Sequence, residues 1–279
     1  MSSTPSANDG TILRVENLSK YFPRGRDRFA AVQNVSVELE AGKTLGIVGE
    51  SGSGKSTLSR CIIRLYDPEE GKVFFDGDDF TALSQRDLRI KRRNIQMIFQ
   101  DPLASLNPMM TVLKTIEDPL EIHGVGTPKE RVRRVHELME LVGLDLAAAN
   151  AFPFEFSGGQ QQRIGIARAL ALNPKLVICD EAVSALDVSI QAQILRLLQD
   201  LQKQLGLSYL FISHNLAVVE HMSDQIAVMH HGKLVEYAPT EEIFRAPKEE
   251  YTRTLIASVP QIPRGPLARR RQAASSTQA

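Results

Sequence analysis

Cysteine is scarce in this chain, and the scarcity removes several possibilities. Only Cys61 and Cys179 occur among 279 residues. They lie far apart, each in an apolar stretch, so no disulfide framework is expected, and no paired-cysteine spacing offers a metal site. A reducing, cytosolic compartment is the simple reading. Long apolar runs are missing as well. With no stretch of about 18 uncharged apolar residues, the chain is not expected to span a membrane itself. Met1 to Gly10 is polar and lacks an apolar h-region, so no secretory signal is expected there. An excess of one charge is also lacking: Lys+Arg and Asp+Glu each number 33. Nothing global therefore draws the chain to nucleic acid. Two basic clusters exist locally, five residues between Arg86 and Arg93 and the run Arg269-Arg270-Arg271. Most such clusters are solvated faces, and no nucleic-acid partner is expected. Internal repeats are absent too. The length suffices for one large domain, or one domain with a subdomain.

The most informative stretch is Gly49-Glu50-Ser51-Gly52-Ser53-Gly54-Lys55-Ser56-Thr57. It fits the P-loop pattern G-x-x-x-x-G-K-[ST], with an extra glycine at Gly52. Glycines let the backbone wrap tightly, so successive N–H groups point at phosphate oxygens. Lys55 has the length to reach β- and γ-phosphates, and the Ser56 hydroxyl suits Mg²⁺. Residues 44–48 read as a buried strand before the loop, and residues 58–63 as a helix after it. A helix N-terminus then aims its positive end at the phosphates. The plain alternative is a glycine-rich turn. By itself the loop specifies a nucleoside triphosphate and no particular machine.

Around it the pattern alternates. Residues 12–15, 32–39 and 73–75 read as strands, the last followed by the turn Asp76-Gly77. Residues 108–150 carry helical periodicity at Val132, Val135, Leu138, Met139 and Val142, with Gly143 as the stop. This predicts a helical insertion between two αβ portions. Residues 176–179 read as a buried strand, 189–205 as a helix closed by Gly206, and 209–212 and 226–229 as further strands. Strands alternating with helices imply a mainly parallel sheet covered on both faces. Ligands of such sheets bind beyond the carboxyl ends of the strands.

Three features stand at those ends. Asp180, after the strand 176–179, suits the Mg²⁺-associated aspartate of P-loop enzymes. Glu181 is placed to polarise an attacking water as general base. His214 follows the strand 209–212, where it would contact the γ-phosphate and hold the glutamate; a lone histidine is more often structural. A second phosphate-type helix start is present at Ser157-Gly158-Gly159-Gln160, with Ser157 as N-cap; an ordinary capped helix is the plain alternative. Ser184-Ala185-Leu186-Asp187 follows the acidic pair closely.

On these residues the chain resembles the ATP-binding cassette (ABC) family. Ser157, Gly158, Gly159 and Gln160 look like its signature motif, residues 184–187 match its D-loop ending in Asp187, and His214 matches its switch histidine. Gln100 stands at the Q-loop, and Tyr21 where an aromatic stacks on adenine; a half-buried tyrosine on an edge strand is the alternative for Tyr21. The resemblance covers roughly residues 11–260. The stretch Phe99-Gln100-Asp101-Pro102-Leu103-Ala104-Ser105-Leu106-Asn107-Pro108, residues 183–193 and the segment 251–260 are similar to peptide and nickel importer ATPases, especially the second ATPase of dipeptide and oligopeptide systems. Departures are Phe156 for a common leucine, Ala182 for proline, Asn215 for an acidic residue and Phe154 for histidine. None removes a catalytic group. Some relatives carry a tail cysteine cluster, which this chain lacks.

The resemblance implies an α/β P-loop fold with an antiparallel β subdomain and a helical subdomain at about 101–165. It implies a cassette at 11–260 and a C-terminal extension at 236–279 with a flexible end. It further implies ATP and Mg²⁺ as cofactors, the ion held by Ser56, Gln100 and Asp180. Two cassettes, identical or different, would close head to tail around two ATP molecules. Membrane-spanning permease subunits would be the direct partners and a substrate-binding protein an indirect one, with the chain on the cytoplasmic face of the inner membrane. Rival readings are nickel or another small solute as cargo, a repair or translation cassette, and a non-catalytic regulatory cassette. Repair cassettes usually carry a long coiled-coil insertion and translation cassettes two copies in one chain; neither occurs here.

Overall fold

Residues 10–25 and 27–258 are described by the structure, a computed structural model. The polar start before Gly10, Val259-Pro260, the run Arg269–Arg271 and the rest of the extension lie outside the described residues. In chain order, β1 (Thr11–Arg24), β2 (Asp27–Glu40) and β3 (Thr44–Val48) lead into α1 (Lys55–Ile62). Next come β4 (Glu70–Phe75), β5 (Asp78–Asp79), α2 (Gln85–Lys91) and β6 (Ile95–Ile98). A helical stretch follows: α3 (Pro102–Ser105), α4 (Val112–Ile122), α5 (Pro128–Leu141) and α6 (Gly158–Leu170). The chain then alternates through β7 (Leu176–Asp180), α7 (Val188–Leu205), β8 (Ser208–Ile212), α8 (Leu216–Met222) and β9 (Gln225–His230). It ends in β10 (Lys233–Pro239), α9 (Thr240–Arg245) and α10 (Glu250–Ala257).

Two sheets form. The antiparallel one has the order β2-β1-β4-β5. The other has the order β10-β9-β3-β8-β7-β6, parallel except for β10. Period-two alternation decides what each face of the parallel sheet meets. Leu45 and Ile47 of β3, Leu176 and Ile178 of β7, and Leu210 and Ile212 of β8 face a core shared with α1 and the antiparallel sheet. Val177 and Cys179 of β7 and Tyr209 and Phe211 of β8 face a second core built with α4 to α8. Burial on both faces explains why these strands read as unbroken apolar runs. At Gly46 the helix α8 comes so close that a Cβ would overlap Val219 and Ser223.

The helices between β6 and β7 are defined by their ends. Thr127 and Glu130 form a reciprocal capping box at α5, with Pro128 in the first turn. Gly143 takes φ 71° just past the end of that helix, the left-handed stop expected of it. The basic cluster at Arg86–Arg93 is spent largely on structure. Arg92 donates to the carbonyls of Ile63 and Arg64, Arg93 to His123, and Lys91 pairs with Asp78. Among the described residues, no helix is long and apolar enough to cross a membrane.

Candidate functional site

The parallel register brings the candidate residues to one sheet edge. Ile47 and Asp180 both lie opposite Ile212, and Cys179 lies opposite both Phe211 and Ile98. The residues that follow these strands, Gly49, Glu181, Ser213 and Gln100, therefore emerge together at the carboxyl ends.

The loop from Gly49 to Gly54 connects β3 to α1. Gly49 (φ 150°) and Gly54 (φ 101°) adopt backbone conformations that side chains avoid, and each is crowded by a carbonyl oxygen, of Met229 and Ala31 respectively. Gly54 is the N-cap of α1 and supplies no capping side chain, so the first N–H groups of the helix stay available. Lys55 is buried and curls back along the loop. Its ammonium donates to the carbonyls of Gly49 and Glu50, both at 2.8 Å. Burial lowers its pKa, while the carboxylates of Glu181, Asp180 and Glu50 oppose that shift. The Ser56 hydroxyl donates to Asp180 Oδ1 at 2.9 Å. Burial raises the pKa of Asp180, against the Ser56 bond and the charges of Arg60 and Lys55. Ser51 and Gly52 are exposed, Thr57 is half-buried, and the Ser53 N–H donates to the Glu50 carbonyl at 3.2 Å.

Glu181 stands just past β7 at φ 50°, an uncommon conformation for a residue other than glycine. Its N–H donates to the Ile212 carbonyl at 2.9 Å, tying it to the neighbouring strand. His214 Nδ1 lies 3.3 Å from Glu181 Oε2. The carboxylate side chain is 16% exposed and the imidazole 55%, so the pair spans the boundary between sheet and solvent. Asn215, where an acid is common, caps α8: its side-chain oxygen accepts from Ala217 N–H at 3.1 Å.

The remaining candidates form no hydrogen bond with residues 49–57 among the described residues. Ser157 and Gln160 form a reciprocal capping box at the start of α6. Gly158 rests against Leu186, and at Gly159 a Cβ would meet Ile190, so the glycine pair lets α6 pack closely on the segment carrying Asp187 and α7. Among the described residues, no hydrogen bond joins Ser157–Gln160 to residues 49–57. Gln100 is exposed. Tyr21 is half-buried opposite Ala30, next to the Ala31 whose carbonyl faces Gly54. β1 is an interior strand of its sheet, not an edge, although β4 pairs with it only as far as Ser19.

Sequence reasoning missed two supports of the loop. The Gly232 N–H, in the turn after β9, donates to the Ser53 carbonyl at 3.0 Å. The Tyr251 hydroxyl of α10 accepts from the Glu50 N–H at 3.1 Å. Neither has a local signal, because both partners are distant in the chain.

A glycine loop between a parallel strand and a helix, with an aspartate at the end of the strand next but one in the same sheet, defines a P-loop nucleotide-binding fold. The family model described as ABC transporter matches residues 32–184, and one described as oligopeptide/dipeptide transporter, C-terminal region, matches residues 235–279. The chain belongs to the ABC transporter family. It is 51% identical over 263 residues to the oligopeptide transport ATP-binding protein AppF of Bacillus subtilis (strain 168), covering 91% of this chain and 80% of that protein. It is 51% identical to OppF of the same organism, an oligopeptide transport ATP-binding protein, covering 89% and 82%. Its structure is similar to a dimeric post-hydrolysis state of the ATP-binding cassette MJ0796 bound to ADP and Pi. That match has a TM-score of 0.74 at 32% identity and covers 82% of this chain and 99% of the other.

Proposed function

We propose that this chain binds and hydrolyses ATP to energise an importer of dipeptides or oligopeptides, working on the cytoplasmic face of the membrane. The observation that carries the enzymatic part is the convergence of Lys55, Ser56, Asp180, Glu181 and His214 at one sheet edge. The cargo rests on the match at residues 235–279 and on the identity to the two oligopeptide transport proteins.

The residues fit the proposed chemistry. Backbone N–H groups of Gly52 to Thr57 and the Lys55 ammonium would hold the triphosphate, and Tyr21 would stack on adenine. The Ser56 hydroxyl and the buried Asp180 carboxylate put two oxygens 2.9 Å apart, a donor set that suits a hard divalent cation. They would hold Mg²⁺, with Gln100 on the same edge. Bound there, the ion would supply positive charge to offset that of the phosphates. Glu181 takes the proton of the attacking water, and His214 holds the carboxylate in place. Water attacks the γ-phosphorus, the bond to the β-phosphate oxygen breaks, and ADP leaves.

Ser157, Gly158 and Gln160 are exposed and unbonded to their own P-loop, which supports a role on the nucleotide of a second cassette. Two chains would close head to tail, with ATP as part of the interface, and Asp187 would lie beside that seam. Membrane-spanning permease subunits would receive the motion near Gln100, and a substrate-binding protein would deliver cargo to them. The cassette would occupy residues 11–260 with its helical part at about 101–165, and the extension residues 236–279. Deleting the gene and assaying labelled dipeptide, oligopeptide and nickel uptake tests the cargo. Loss of peptide uptake with nickel uptake intact is expected. Persistent peptide uptake with loss of another solute overturns the assignment.

A further inference from the structure

The start of the C-terminal region is built into the nucleotide loop. Glu236 of β10 is buried, and its carboxylate accepts from the backbone N–H groups of Lys248 at 2.9 Å and Glu249 at 3.2 Å. That fixes the entry into α10, and Thr252 in the first turn is fully buried. The preceding residue, Tyr251, is thereby aimed at the P-loop. Its ring stacks on His230, the last residue of β9, with centroids 3.9 Å apart and planes 19° from parallel. Its hydroxyl oxygen accepts from the Glu50 N–H at 3.1 Å.

The end of β9 braces the same loop on either side of that contact. Gly49 lies against the Met229 carbonyl so closely that no side chain fits. The Gly232 N–H holds the Ser53 carbonyl at 3.0 Å. Beside the Lys55 ammonium, which bonds the loop from its own end, Gly49, Glu50 and Ser53 are thus held by three points from elsewhere in the fold, two on the β9 hairpin and one on α10. Of these three, only the α10 contact is made by a side chain, so only that one can be removed without altering the backbone.

We propose that Tyr251 is a positioning residue for the P-loop, and that the seating of α10 sets the affinity for nucleotide; this rests on the nucleotide-binding reading of the loop. By engaging the Glu50 N–H, the phenol fixes the direction of that peptide and the curvature of the loop before a phosphate arrives. A preorganised loop loses less freedom on binding. Linkage makes the effect reciprocal: nucleotide that prefers the braced loop must also steady α10.

The test compares full-length wild type with Tyr251→Phe, which keeps the stack and removes the acceptor, and Tyr251→Leu, which removes both. His230→Phe preserves an aromatic partner and serves as rescue. ATP dissociation constants, kcat and melting temperature are measured for each. Tyr251→Phe is expected to weaken ATP binding about two- to tenfold, the scale of one neutral hydrogen bond. Its kcat at saturating ATP and its melting temperature should stay near wild type. Tyr251→Leu should weaken binding further, and His230→Phe should match wild type. Amide exchange in residues 250–257 should slow when ATP is added to wild type, and less so for Tyr251→Phe. Wild-type affinity in both Tyr251 variants, or affinity lost only in step with melting temperature, overturns the proposal alone. A wild type that binds no ATP, indistinguishable from Lys55→Ala, overturns the nucleotide reading itself.

Discussion

Two glycines in the same loop face different surroundings, and alanine at each should separate strain from collision. Gly52 takes φ 79° with open space where a Cβ would stand. Gly54 takes φ 101°, and its Cβ would overlap the Ala31 carbonyl oxygen, a backbone atom in β2 that has no rotamer to escape into. A left-handed conformation costs an L-residue about 1–2 kcal/mol. Overpacking against a fixed neighbour adds about 1–3 kcal/mol. Gly52→Ala should therefore cost about 1–2 kcal/mol and Gly54→Ala about 2–5 kcal/mol. For a chain of this size each kcal/mol lowers the melting temperature by about 2 °C. That predicts a drop of about 2–4 °C for the first variant and about 4–10 °C for the second. Because Gly54 caps α1, relief of the overlap also shifts the helix start, so ATP affinity should fall more for Gly54→Ala. Calorimetry paired with equilibrium ATP binding checks both. A Gly54→Ala protein that melts no lower than Gly52→Ala, or binds ATP as wild type does, refutes the reasoning.

Tyr21→Ala should weaken ATP binding while Tyr21→Phe should not, because stacking needs only the ring; equal behaviour of the two removes Tyr21 from the site. Leu103 is 48% exposed on α3, just past Gln100. Leu103→Asp should leave ATP binding intact while abolishing stimulation of hydrolysis by the membrane subunits; unchanged stimulation and uptake would argue against docking there. Burial pushes the Cys61 thiol up to about 12 and the Cys179 thiol upward as well. Both should stay protonated at pH 8 and resist a disulfide reagent until the protein is unfolded, since the thiolate is the attacking form. Rapid modification of the native protein would show that the cores around them open readily.

Much of this architecture was legible because the relevant signals are local. Residues 44–48, 176–179 and 209–212 are buried on both faces and so read as strands without alternation. Gly143 and Gly206 mark helix ends through the same left-handed turn, at φ 71° and 67°. The loop 49–57 and the cap Ser157 carry their meaning in consecutive residues. The outer strands were harder. β1 runs from Thr11 to Arg24, but register shifts near Leu13, Leu18, Lys20 and Tyr21 break its alternation, so only residues 12–15 stood out. β6 is four residues long, and β10 is an edge strand with few buried side chains; neither offers a strong pattern. In the site, the strand ends located Asp180, Glu181 and His214. Their mutual distances, and the contacts from Gly232 and Tyr251, come from tertiary register between residues up to 201 positions apart.

Glu181→Gln is the most direct test of the central claim that this chain hydrolyses ATP with Glu181 as base. On the proposed assignment, the substitution removes the proton acceptor and leaves Lys55, Ser56 and Asp180 to hold the nucleotide. ATP binding and turnover should be measured side by side in the assembled transporter. The account predicts near wild-type ATP affinity, turnover lower by about 10²–10⁴-fold, and accumulation of an ATP-bound closed complex. Turnover at the native rate would contradict it.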